Sequence, residues 1–572
     1  MIENRVVLKM MTAVIAGVFA LVSAGCASAP KQAAAKPAAV PATSESKPAE
    51  PSKPEEKNPN AMNPMAGEDL AASWLGYQPL PPDGVWLVDT EGREYFVQPI
   101  AKEDGRYLRT GPNMVRVPPG IPLMLEREDD DYFYVKVFKL EKETGLVPAS
   151  SKKLTAEEKE AIAKTYELSI PTSHELSFTA IGEGLPVRDQ WRNGFALADV
   201  DGDGALDLIH GPARRTMGGK PVIFRGDGKG GFSRWQGVSW PAYPYDYGDA
   251  AAGDFNGDGK IDLAFAIHLR GIVAMLGDGK GKFTPFSDGL DLSDPTVQNW
   301  SKTPFTSRAL EVVDWNKDGR DDILAVSEGP ARTGGGAATA YTPGKRIYLA
   351  EPNGWKVAAG SPAADSTIGD TVALGDFNAD GRTDFITGVS RAGGKTLINT
   401  AGAGNSWNVS TIESLRPGAI VRGVAAADLN GDKRDDIFVG WLNTEAGVSH
   451  VGVDLMLSQP GGWARIGLWG REGRQGVRAL AVGDLDGDGK TDLVGFADDS
   501  QPVILKGHGQ GKFTLESAEG INQKVDECAG YSVALADLDR DGKDEIVAGF
   551  AGERCATQGS LRAWKAAPSG KK

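Results

Sequence analysis

Seven short stretches of this chain carry acidic residues at one fixed spacing: DVDGDGALD from Asp199, DFNGDGKID from Asp254, DWNKDGRDD from Asp314, DFNADGRTD from Asp376, DLNGDKRDD from Asp428, DLDGDGKTD from Asp484 and DLDRDGKDE from Asp537. Positions 1, 3, 5 and 9 offer hard oxygen donors. They are Asp199, Asp201, Asp203 and Asp207 in the first loop, then Asp254, Asn256, Asp258 and Asp262, then Asp314, Asn316, Asp318 and Asp322. The fourth and fifth loops supply Asp376, Asn378, Asp380, Asp384, Asp428, Asn430, Asp432 and Asp436. The last two supply Asp484, Asp486, Asp488, Asp492, Asp537, Asp539, Asp541 and Glu545. Position 6 is a glycine fit for a sharp turn, except at Lys433, and position 7 adds a backbone carbonyl. A flexible cage of six to eight oxygens suits Ca²⁺ better than the rigidly octahedral Mg²⁺. Of the 28 donor positions only four are Asn, and carboxylates so dense repel one another unless a cation lies between them. Up to seven Ca²⁺, one per loop, are expected, and they would bring +14 against a net charge of −15. Asp, Asn and Gly are also ordinary turn residues, so a metal-free turn is the alternative, strongest at the loop with Lys433.

A helix-loop-helix calcium site needs a bidentate Glu at position 12. Here that position reads His210, Phe265, Ala325, Thr387, Val439, Gly495 and Ala548. Each loop is followed instead by a β run, such as Ile323-Leu324-Ala325-Val326, and preceded by another, such as Val533-Ala534-Leu535, so each closes a hairpin. Downstream a Gly-rich turn meets an aromatic at Phe232, Phe283, Trp355, Trp407, Trp463 and Phe513, marking a second hairpin. Two hairpins in about 56 residues make a four-stranded blade, and seven in series predict an all-β, seven-bladed propeller. The seventh repeat lacks its aromatic strand, while Leu176-Ser177-Phe178-Thr179 carries the matching pattern ahead of the first loop. The N-terminal strand is therefore expected to complete the last blade and leave no open edge.

These repeats resemble the FG-GAP/VCBS family, the calcium-bearing propeller repeats also found in integrin α-subunit heads, over about residues 174–566. Lys433 and Glu545 depart from the family pattern, which puts the metal in question at loops 5 and 7. The resemblance implies calcium binding and often adhesion, partner recognition or carbohydrate contact, and it extends to lyases and scaffolds. Fold resemblance alone does not choose among them.

A ligand surface is expected where each inner strand begins, on the face away from the metals. Six residues before each loop stand Asn193, Gly248, Arg308, Asp370, Arg422, Arg478 and Tyr531. Three arginines converging on one tunnel mouth suit a carboxylate or phosphate, in an acidic glycan or an acidic protein segment. Tyr243, Tyr245 and Tyr247 add aromatic faces nearby. The bland alternative is a hydrated, charged funnel. Catalysis has little to build on: His174, His210, His268, His450 and His508 fall at unrelated repeat positions, and HExxH, GxSxG and P-loop motifs are absent. No catalytic residue is assigned. A calcium-dependent, lyase-like polysaccharide enzyme assembled across blades is the alternative to a binding, adhesion or scaffold module.

The remaining sequence concerns address and tethering. Arg5 and Lys9 precede an apolar run from Met10 to Val22 that ends in Ser23-Ala24-Gly25-Cys26, which resembles a bacterial lipoprotein signal over residues 1–25. In that family Cys26 is the lipidated first residue, and Ala27 after it fits the outer membrane or cell surface; Ser23, where Leu is usual, leaves plain secretion as the alternative. Residues 26–65 collapse to Ala, Pro, Lys, Ser and Glu, a disordered tether. Residues 66–170 read as a small mainly-β domain, with strands near Val85–Val88, Tyr95–Val97 and Tyr132–Phe138 and a helix from Thr155 to about Tyr166; 567–572 read as a disordered tail. With a pI near 5.0, nucleic acid is not expected as a partner, and lipid is the only membrane attachment foreseen. Cys528 and Cys555 lie 13 and 14 residues either side of Asp541 at the centre of the seventh loop, so hairpin symmetry sets them opposite one another and an exported protein would bridge them.

Overall fold

The computed structural model describes the strands between 85 and 137, residues 164 and 166, and the chain from 168 onward. From 168 it leaves out 215–218, 293–304, 329–343, 359–368, 370, 389–395, 413–418, 446–447, 474–475, 498–500, 522–527, 553–559 and 571–572. The lipoprotein-type signal, the tether, Asp370 and Cys555 all lie outside the described residues, as does nearly all of the expected helix. Among the described residues no helix is long and apolar enough to cross a membrane.

Seven sheets of four or five strands follow one another in chain order, each built on four antiparallel up-and-down strands, with a parallel fifth strand in blade 6. Blade 1 runs through Phe195–Ala198, Asp207–His210, Val222–Gly226 and Phe232–Arg234. Each acidic loop joins the first strand of a blade to the second, as its sequence predicts. Leu176–Ile181 lies antiparallel to Ser560–Pro568, with Phe178 opposite Ala566, and so supplies the fourth strand of blade 7. The ring is closed by main-chain hydrogen bonds between the two ends of the propeller. Two short strands ahead of it, Leu168–Ser169 and Thr172–Ser173, add fifth strands to blades 5 and 6, which the sequence pattern did not announce. Upstream, Val85–Val88 pairs with Glu94–Val97, Arg106–Thr110 with Asn113–Val117, and Leu123–Glu128 with Phe133–Val137.

The core lies between blades. One apolar cluster joins each neighbouring pair around the ring, from Val200, Ile209, Leu263 and Phe283 between blades 1 and 2 to Leu208, Phe232, Val547 and Leu538 between blades 7 and 1. Position 2 of every loop contributes to such a cluster: Val200, Phe255, Trp315, Phe377, Leu429, Leu485 and Leu538. The aromatic that follows each Gly-rich turn packs on position 2 of the preceding blade. Trp355 meets Phe255 edge-on at 5.1 Å, Trp407 meets Trp315 at 6.4 Å and Trp463 meets Phe377 at 6.4 Å. Phe178 plays this part against Leu485, which explains why the closing strand carries the aromatic that the seventh repeat lacks. Loop conformation and blade-to-blade packing are thus coupled through one side chain per blade.

Candidate metal loops and the central cavity

Within each loop the carboxylates first organise the backbone. In loops 1 to 6 the fully buried position 9 carboxylate accepts the N–H of position 2 through one oxygen and an N–H of the third strand through the other, whereas in loop 7 only one oxygen of Glu545 accepts a backbone N–H. Asp207 does so with Val200 and Gly226 at 3.1 and 2.9 Å, and Asp492 with Leu485 and Gly507 at 2.9 and 2.7 Å. The position 1 carboxylate accepts the N–H of position 6, from Gly204 at 2.8 Å to Gly542 at 3.0 Å. In loop 5, Lys433 keeps that bond to Asp428 at 2.9 Å by adopting a φ of 70°. A non-glycine residue there costs about 1 kcal/mol, yet the loop geometry survives. In loop 7 the longer Glu545 still reaches the N–H of Leu538 at 2.8 Å. Both departures from the repeat pattern therefore leave the turn intact.

Position 8 stitches blades together in pairs. Asp321 accepts the N–H of Asp254 at 2.8 Å and returns its own N–H to the Asp254 carbonyl at 2.9 Å. Asp435 makes the same two bonds to Asp376, at 2.7 and 2.9 Å, and Asp544 to Asp484, at 2.8 and 2.9 Å. Blades 2 and 3, 4 and 5, and 6 and 7 are joined in this way. The residue before the accepting loop is Gly253, Gly375 or Gly483, where a Cβ would stand 2.7, 2.8 or 2.3 Å from the stitching oxygen. At the other loops that residue is Ala198, Val313, Ala427 or Ala536, and position 8 of loops 1, 2, 4 and 6 is Leu206, Ile261, Thr383 or Thr491.

The remaining carboxylate oxygens suit a cation. Asp199, Asp201 and Asp203 bring ligand oxygens within 4.8 Å of one another, as do Asp484, Asp486 and Asp488, and Asp537, Asp539 and Glu545. Among the described residues, one buried oxygen each of Asp199 and Asp539 has no hydrogen-bond donor. Burial pushes the position 9 carboxyls up, to about 6 at Asp207 and Asp384 and to about 7 at Asp262, Asp322 and Asp492. Carboxylates this reluctant to ionise are relieved by a nearby positive ion. The donor set, all hard oxygen, fits a divalent ion of the calcium type.

At the other end of the inner strands lies one cavity with a free volume of about 180 Å³. Asn193, Arg308, Arg422, Arg478 and Tyr531 all line it. Sequence reasoning missed its three further charged members: Arg192, Asp249 and Glu311. Arg192 and Arg478 both stand over the Tyr531 ring, 4.9 and 5.0 Å from its centroid. Arg308 is ion-paired with Glu328 at 2.9 Å, and Arg422 is 5% exposed, so the arginines are held within the ring wall rather than waving in solvent. Asp249 accepts the N–H groups of Ala250 and Leu310 at 3.0 and 2.9 Å, and burial pushes its carboxyl up to about 7. Burial, with Asp249 adding repulsion, pushes Glu311 up to about 8. The tyrosine ladder is not an open platform: Tyr247 is buried against His268 and Arg192, and Tyr243 and Tyr245 pack on the core between blades 1 and 2. Cys528 is buried and disulfide-bonded beside the start of the last inner strand.

With this geometry in place, comparison with known proteins is informative. The FG-GAP-like repeat pattern matches residues 376–439 and 484–548. Integrin alpha-V of Gallus gallus is 30% identical over 212 residues, which is 33% of this chain and 20% of that protein. Integrin alpha pat-2 of Caenorhabditis elegans is 28% identical over 215 residues, 32% of this chain and 18% of that protein. Integrin alpha-5 of Xenopus laevis is 32% identical over 149 residues, 24% and 14% respectively. The chain spans a fifth or less of the length of these curated relatives. The matches support the FG-GAP repeat family. Each FG-GAP-like stretch begins at position 1 of an even-numbered loop and ends on the second strand of the next blade, so each contains one stitched pair.

Proposed function

We propose that this chain is a calcium-loaded propeller that serves as a binding or adhesion module for a protein partner, held at the cell envelope by lipid on Cys26. Up to seven Ca²⁺, about one per loop, would fix the position 2 side chains that lock blade to blade. The opposite end of the ring would then present a rigid, cation-lined mouth. The observation that carries the reading is the convergence of Arg308, Arg422 and Arg478, one each from blades 3, 5 and 6, on one cavity with Tyr531. An acidic segment of a protein is the ligand such a mouth suits, with an acidic glycan as the second candidate. In this reading residues 1–25 direct export, 26–65 tether, 66–170 form a small β domain and 174–566 form the binding ring.

The test is capture of envelope components by residues 66–572 in calcium, repeated with Arg308, Arg422 and Arg478 replaced together by Ala. Loss of a specific partner in the variant supports the mouth as the site; undiminished capture removes it. One observation favours a second reading. Asp249 and Glu311, two carboxyls held near neutrality in the same cavity, are the kind of pair an acid–base enzyme uses. Ultraviolet-absorbing unsaturated products from acidic polysaccharides, lost on chelation, would favour that lyase-like reading over binding.

A further inference from the structure

The third strand of each blade places one residue directly opposite position 9 of the loop. Carried one residue past the last paired positions, the strand register sets Arg225 opposite Asp207, Lys506 opposite Asp492 and Lys565 opposite Glu545. In the other blades the same place holds Leu276, Leu349, Thr400 and Leu457. Position 3 changes in step: it is Asp201, Asp486 and Asp539 where a cation stands opposite, and Asn256, Asn316, Asn378 and Asn430 where none does. Four carboxylates with one cation, or three carboxylates with an Asn, both give a net charge of −3 over these positions. The extra carboxylate and the extra cation also touch. Arg225 pairs with Asp201 and, at 3.5 Å, with Asp203. Lys506 pairs with Asp486, and Lys565 with Asp539, with Asp541 at 2.7 Å and with Glu545 at 3.5 Å.

An exposed ion pair contributes little, but the carboxylates here are largely buried: the side chains of Asp201, Asp486 and Asp539 are 9%, 14% and 20% exposed, against 41%, 9% and 29% for Arg225, Lys506 and Lys565. Other cations near the loops do not explain the pattern. Lys260, Arg320, Arg382 and Lys490 sit at position 7 and pair with position 5 in loops of both kinds.

We propose that Arg225, Lys506 and Lys565 are built-in counter-cations that hold the loops of blades 1, 6 and 7 closed when calcium is scarce, whereas the loops of blades 2 to 5, which lack this strand-borne cation, need the metal to stay closed. Blades 6, 7 and 1 are consecutive in the ring and flank the seam that Leu176–Ile181 closes. Lys506 also reaches Glu175, just before that strand, at 3.5 Å. The seam is the one place where the ring lacks covalent continuity along the sheet order, so an internal cation there keeps the propeller from opening as calcium is withdrawn. The proposal rests on the reading of these loops as calcium sites.

Hydrogen–deuterium exchange of the full chain, in calcium and after EGTA, tests it loop by loop. Peptides covering 254–262, 314–322, 376–384 and 428–436 should exchange at least about tenfold faster after chelation, and those covering 199–207, 484–492 and 537–545 less than about twofold faster. The double variant Asp486→Asn with Lys506→Leu gives blade 6 the pair found in blade 2 and keeps the net charge. Its loop should become as chelator-sensitive as those of blades 2 to 5; should it fail to fold, Lys565→Met in blade 7 gives the same readout for loop 537–545. Equal loosening of all seven loops in the parent, or a blade 6 loop in the double variant that stays insensitive, overturns the proposal and leaves calcium binding standing. No change in any loop, with no bound calcium by elemental analysis, overturns the calcium reading and this proposal with it.

Discussion

Removing the stitch between blades 6 and 7 measures how the loops hold the ring together. Asp544→Ala deletes the carboxylate that accepts the Asp484 N–H at 2.8 Å, while the reciprocal bond from the Asp544 N–H to the Asp484 carbonyl is main-chain and remains. A hydrogen bond to a charged acceptor contributes about 1.5–3 kcal/mol. Burial holds the Asp544 carboxyl above the usual range, with Asp484 and Asp537 adding repulsion, so part of that gain is already spent on desolvation. A net loss of about 1–2 kcal/mol is expected. Gly483→Ala attacks the same bond from the other side, since its Cβ would stand 2.3 Å from the Asp544 oxygen and 2.9 Å from Leu535. The double variant has no oxygen to displace, so its loss should fall short of the sum by about 1 kcal/mol. Urea denaturation at saturating calcium gives the four values, with Thr491→Ala, at position 8 of an unstitched loop, expected within about 0.5 kcal/mol of the parent. Additive losses for Asp544→Ala and Gly483→Ala would refute the stitch.

Glu311→Gln should raise the melting temperature at pH 8 and leave it unchanged at pH 5. A carboxyl raised to about 8 in the folded protein stabilises it while protonated, and that contribution is lost as pH rises from the usual carboxylate range through 8; a parallel pH profile in the variant would contradict this. Phe255→Ala, which empties the buried site against Trp355, should cost about 3–5 kcal/mol in chemical denaturation and weaken blades 2 and 3 together by hydrogen exchange. Lys433→Gly relieves a left-handed residue and should stabilise blade 5 by up to about 1 kcal/mol, measured as a shift in urea midpoint; a loss would mean that the side chain holds the loop.

The repeats made the ring legible because each loop specifies its own hairpin: a position 9 carboxylate and a sharp turn are local features, and seven copies at a nearly even spacing leave one closed architecture. The Phe178 pattern even located the seam. Features that depend on which blade lies beside which were written in the sequence without being readable there. Asp at position 8 and Gly before the next-lower loop alternate perfectly, but the alternation has meaning only once blade 3 is known to lie against blade 2. The cations Arg225, Lys506 and Lys565 lie 20 to 26 residues from the Asp residues they meet, on a different strand, so only register reveals them. In the cavity the offset of six residues found the arginines, while Asp249 and Glu311 escaped because they lie five and three residues before their loops rather than six. The tyrosine ladder misled for the opposite reason, since local sequence shows aromatic faces but not the core that covers them.

We propose that calcium in the seven acidic loops holds the ring together. This is tested most directly by elemental analysis of the purified, calcium-equilibrated chain, paired with its melting temperature before and after EGTA. About one calcium per loop and a substantial fall in melting temperature on chelation are predicted, since a site held at 100 times its dissociation constant stabilises the fold by about 2.7 kcal/mol. Fewer than about four bound ions together with an unchanged melt would contradict it.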